Sequence, residues 1–65
     1  MIDHHWQGSP EAVAAAISCH QNVIGPCTLD GVAYVCIRAD SPLDMPPGLS
    51  ETGRELGTAI LGRWA

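Results

Sequence analysis

The chain has 65 residues, a formal net charge of −4, 46% hydrophobic residues and 15% charged residues, and a length close to the lower limit for domains bounds it to one small domain. It contains no lysine and three arginines, Arg38, Arg54 and Arg63, too few cations for the basic stripe that nucleic-acid binding draws on. So thin a core encloses little pocket volume, which argues against a self-contained enzyme.

In chain order, residues 1–8 form a short polar lead containing His4, His5 and Trp6. Ser9-Pro10-Glu11 then reads as a helix start. Ser9 can cap, Pro10 suits the first helical position because no N–H is needed there, and Glu11 complements the helix dipole. Val13, Ala16, Ile17 and His20 recur at helical spacing, and alanine at 12, 14, 15 and 16 raises helix propensity. These signals predict a helix over about 10–21, with Asn22 as its stop.

Asp30-Gly31 between Leu29 and Val32 is the signature of a two-residue type I′ hairpin turn, because both residues tolerate positive φ. The arm from Val32 to Arg38 is dense in β-branched and aromatic residues, so the hairpin is expected over about 23–38. Its first arm carries Gly25-Pro26, and proline lacks a ladder donor, which makes that arm an edge or bulged strand. The turn pairs Leu29 with Val32, Thr28 with Ala33 and Cys27 with Tyr34. One face of the ribbon then holds Cys27, Leu29, Val32, Tyr34 and Cys36, and the other Thr28, Ala33, Val35 and Ile37. Both faces are apolar and both need cover, which points to a homodimer or a foreign partner on the face the helix leaves open.

Pro42, Pro46, Pro47 and Gly48 make 40–50 a stiff connector across the surface. Thr52-Gly53-Arg54-Glu55 has capping-box spacing, but Gly57 and Gly62 each weaken a helix by about 1 kcal/mol. We therefore expect a helical turn at 51–56 followed by a third strand at 58–64. The fold class is α+β, an N-terminal helix packed on a small antiparallel sheet, in one domain over 1–65.

Metal-capable side chains are present in Cys19, His20, Cys27 and Cys36, with His4 and His5 in reserve. Their spacing lacks the short knuckles of structural zinc sites, so no metal or other cofactor is expected, and the cysteines act as small buried hydrophobes. An odd set of three cysteines reads as reduced thiols, and residues 1–5 carry no basic leader. Both point to a cytoplasmic location. No cysteine or serine stands in a recognisable nucleophile motif, and none of the seven glycines opens a phosphate-binding helix.

As a class, the chain resembles the small acidic accessory proteins of bacteriophages and other mobile elements, anti-CRISPR proteins among them. Its size and charge carry that likeness, and the run Ile60-Leu61-Gly62-Arg63-Trp64-Ala65 looks like the endings of phage open reading frames. The resemblance implies a non-enzymatic inhibitor that occupies a host protein's working surface, such as the basic nucleic-acid-binding face of a defence complex in the host cell. Asp30, Asp40, Asp44, Glu51 and Glu55, with Tyr34 and Trp64, are the expected protein contacts. Direct nucleic-acid or membrane binding is not expected. Two alternatives stand beside this reading: a phage assembly or adaptor subunit that self-associates through the apolar sheet face and Trp64, and a small zinc-stabilised module.

Overall fold

A computed structural model describes residues 1–62. In chain order the elements are β1 (Ile2–Gly8), α1 (Pro10–Ile17), β2 (Val23–Leu29), β3 (Val32–Ala39), β4 (Leu49–Glu51) and α2 (Arg54–Leu61). The strands form one antiparallel sheet in the order β2-β3-β1-β4. This is the expected α+β class, with a different source for the strands beside the hairpin.

The helix start follows the local chemistry. Ser9 Oγ accepts the Ala12 N–H at 3.2 Å, Pro10 takes the first helical position and Glu11 lies in the first turn. The helix ends at Ile17, short of the expected 21. Ser18 Oγ donates to the Ala15 carbonyl at 2.7 Å, and the Cys19 and His20 amides bond three residues back instead of four. The last turn tightens and the helical ladder stops.

The hairpin has the expected register, with Leu29 opposite Val32, Thr28 opposite Ala33 and Cys27 opposite Tyr34. Asp30 and Gly31 both take positive φ, 50° and 80°. β2 is an edge strand, and its register shifts between Ile24 and Cys27, where Pro26 removes a donor.

Several expectations are corrected. The segment taken as a polar lead is β1, the inner strand between β3 and β4, paired from Ile2 opposite Ala39 to Gly8 opposite Ala33. It alternates: Ile2, His4 and Trp6 take one face, and Asp3, His5 and Gln7 the other. The expected strand at 58–64 is helical as far as Leu61, and Arg63, Trp64 and Ala65 lie outside the described residues. Thr52 does not cap this helix. Its backbone N–H is committed to the His5 carbonyl at 2.9 Å, extending the β1–β4 ladder, so the N-cap falls on Gly53 without a side-chain bond. The connector of the sequence reading narrows to 40–48, because β4 takes up Leu49 to Glu51.

The core lies between α1 and the sheet. Trp6, Val13, Ala33, Val35 and Ile37 are buried together, and Ile17, Val23, Leu43 and Leu49 pack against them. α2 covers the opposite face. Gly57 is buried against the His5 ring, Leu61 reaches Gly25 of β2, and Cys36 is buried beneath this layer. The second apolar face is thus partly covered by the chain's own helix, while Leu29 at its far end is 49% exposed.

Candidate functional site

β1 and β3 bring Asp3 and Arg38 directly opposite each other on the α2 side of the sheet. Arg38 grips the carboxylate with two donors: Nε reaches Oδ1 at 2.8 Å and Nη2 reaches Oδ2 at 3.3 Å. That hydrogen bond holds the Asp3 carboxyl below the usual carboxylate range, and in return raises the Arg38 guanidinium above its ordinary value. Asp3 is therefore a charged structural partner and not a free base.

The first turn of α2 passes beside this pair. Between them lies an open cleft of about 790 Å³ whose walls include Asp3, His5, Arg38, Arg54, Glu55 and Thr58. Its charges are mixed, two carboxylates against two guanidiniums, which suits contact with a polar surface better than capture of one ion. A second groove, about 370 Å³, runs along the outer side of β1 between Pro42-Leu43 and the Glu51–Arg54 turn. The two depressions share Asp3, His5 and Arg54, so the start of α2 separates them.

On the opposite face of β1, His4 uses both ring nitrogens. Nε2 accepts the Leu43 N–H at 3.1 Å, and Nδ1 lies 3.2 Å from the Ile37 carbonyl oxygen. An imidazole that accepts at Nε2 carries a proton at Nδ1, the position from which it donates to the Ile37 carbonyl. The ring also packs at 5.6 Å from the Trp6 ring, tilted by 58°.

The expected contact residues divide into separate places. Asp30 stands exposed at the hairpin tip. Asp40 and Asp44 are exposed on the connector that leaves the other end of β3. An eight-residue strand separates Asp30 from Asp40, roughly 26 Å of extended chain. Glu51 ends β4 on the wall of the second groove, and Glu55 lies on the wall of the first. Tyr34 is half-buried on the α2 side of the sheet, opposite Gln7 and Cys27. Trp64 lies outside the described residues.

Asp3 and Arg54 were not singled out in the sequence as site residues, and His4 and His5 only as reserve metal ligands. The signal was available as the alternation over residues 2–8, but histidine at an inward position reads as polar. Among the described residues no three histidine, cysteine or acidic side chains converge as a metal site would require. Cys19 is exposed at the end of α1, whereas Cys27 and Cys36 are on the α2 side of the sheet. No helix in this part of the chain is long and apolar enough to cross a membrane. No known protein family matches the chain, and no curated protein or solved structure is significantly similar to it.

Proposed function

We propose that the protein is a non-catalytic binding module whose carboxylates engage a basic surface of another protein, and that it acts as an inhibitor of a nucleic-acid-binding complex in the manner of anti-CRISPR proteins. One observation carries this reading. Six of the seven carboxylates, Glu11, Asp30, Asp40, Asp44, Glu51 and Glu55, are exposed, and among the described residues Asp3 alone is held in an ion pair. Surface acids without internal partners add little to stability but are free to steer a cationic partner and match it.

Within this reading the contact surface is the region around the connector and the α2 start. Glu51 and Glu55, flanking the α2 start, line one depression each, and Asp40 and Asp44 are exposed on the connector whose Pro42 and Leu43 line the second. Asp30 is far from them and contributes less. Nucleic-acid-binding proteins concentrate lysine and arginine on one face, and exposed carboxylates are the groups that would meet those cations.

The test compares three purified proteins on a host nucleic-acid-binding complex captured from lysate: wild type, Asp30→Asn, and the fourfold variant Asp40→Asn/Asp44→Asn/Glu51→Gln/Glu55→Gln. Wild type and Asp30→Asn should retain the complex, release it with rising salt and yield it to added competitor DNA. The fourfold variant should lose it. Equal retention by the fourfold variant would remove the electrostatic basis of the proposal.

A further inference from the structure

The connector between β3 and β4 crosses the sheet edge as a strap, residues 40–48, and its attachment is specific. Leu43, near its middle, packs against the Trp6–Val35–Ile37 core, and its backbone N–H donates to His4 Nε2 at 3.1 Å. His4 can accept there only while Nε2 is bare, because its single neutral-state proton is directed from Nδ1 to the Ile37 carbonyl at 3.2 Å. A second proton on the ring would turn the acceptor into a donor that faces another donor. The Leu43 N–H would then be stranded next to a positive charge at the margin of an apolar core.

We propose that His4 is a pH-sensitive latch: neutral, it pins the strap at Leu43, and protonated, it releases the strap and opens the Trp6 side of the core. Release would also detach Asp40 and Asp44 from their fixed positions, although the latch itself does not depend on what those carboxylates bind. Histidine is the side chain that changes charge in the mildly acidic range.

Other ionisable groups surround the ring. Asp3, His5, Glu51 and Arg54 line the same groove, Asp40 and Asp44 flank Leu43 on the strap, and Glu11 is the one charge on α1. The carboxylates ordinarily titrate below the histidine range, so His5 is the group whose titration must be told apart from that of His4.

The experiment uses the full chain. Long-range proton–nitrogen NMR of the imidazoles at about pH 8 reads the tautomer, in the alkaline arm of the histidine range. His4 should be protonated at Nδ1 and bare at Nε2, and finding the proton on Nε2 would overturn the proposal. Amide exchange is then followed from that pH to about pH 5, across the same range. The Leu43 protection factor should fall by about fivefold to tenfold, the scale of one lost hydrogen bond, with the same midpoint as the His4 ring shifts. Protection that stays constant while His4 titrates, or a His4 ring that does not titrate in this interval, would overturn it.

The variant His4→Gln places a non-titrating amide oxygen where Nε2 stands. It should keep Leu43 protected at both ends of the range. Retention of the wild-type pH dependence in this variant would transfer the effect to His5 or a carboxylate and defeat the latch. If the variant does not fold, the tautomer and the coincidence of midpoints in wild type still decide the matter.

Discussion

At the scale of single residues, two contacts yield opposite-looking expectations from ordinary propensities. Glycine inside a helix is usually a weakness that alanine repairs by about 1 kcal/mol. Gly57 is different, because an added Cβ would collide with the His5 ring beneath it. Gly57→Ala should therefore destabilise the chain by about 1–2 kcal/mol, within the range for overpacked sites, measured by urea unfolding. Adding His5→Ser should recover most of that loss, since the two residues touch and their effects are coupled. If alanine at 57 proves stabilising, α2 does not seat on β1 as described.

The Asp3–Arg38 pair gives a pH-dependent prediction. Arg38 holds the Asp3 carboxyl below its usual 3.8 in the folded chain. The stabilisation is complete above the unfolded-state value and is lost as pH falls through the folded-state value. Asp3→Asn should lower Tm at neutral pH, and the gap from wild type should shrink progressively as pH falls below the usual carboxylate range and the folded carboxyl takes up its proton. A gap of constant size across that range would mean that the pair contributes by shape and not by charge.

At the scale of elements, the chain divides into parts that announce themselves locally and parts that do not. α1 carries its own start in Ser9, Pro10 and Glu11, and the hairpin carries its turn in Asp30-Gly31. Both are legible because the decisive contacts lie within four residues. Ser9→Ala should cost about 1 kcal/mol through loss of the cap to Ala12, and circular dichroism during thermal unfolding would show it as a lowered midpoint. No change would assign the helix start to Pro10 alone.

β1 and α2 were hidden for physical reasons. β1 places histidine at an inward position, where the ring is satisfied by Ile37 and Leu43, partners more than thirty residues away. α2 contains Gly57 because it lies close upon His5, and it ends at Gly62 with φ 86°, a conformation suited to a helix terminus. Both glycines look like defects until the contact or the helix end is known. The false capping box at Thr52 has the same origin, since a sheet bond to His5 took the residue out of the helix. Of the candidate site, the exposed acids could be read directly. The pairing of Asp3 with Arg38 could not, because it exists only once two strands distant in sequence are in register.

At the scale of the whole molecule, the core is small enough for one side chain to matter decisively. Trp6 is buried at 2% exposure in the centre of the sheet, against Val13 and Val35. Trp6→Ala should cost about 3–5 kcal/mol, comparable with the total stability of a domain of this size, roughly 3–10 kcal/mol on the usual per-residue scale. The variant should be largely unfolded at 37 °C by circular dichroism and proteolysis. A cooperative unfolding transition near the wild-type temperature would mean that the core is centred elsewhere. The same economy shapes the surface: with the core residues gathered beneath α1 and α2, the acids were left outside.

The position of β1 also dictates when this molecule can fold. Its residues are made before those of both strands it pairs with, and Ile2 lies opposite Ala39 thirty-seven positions later. During synthesis the helix and hairpin can assemble early, but the strand that must enter the middle of the sheet waits for both of its neighbours. Closing so long a loop is entropically slow. An unpaired β1 meanwhile presents two open edges to other nascent copies. The inner placement of β1 thus makes completion of the sheet a late step, in which residues 2–8 enter between β3 and β4.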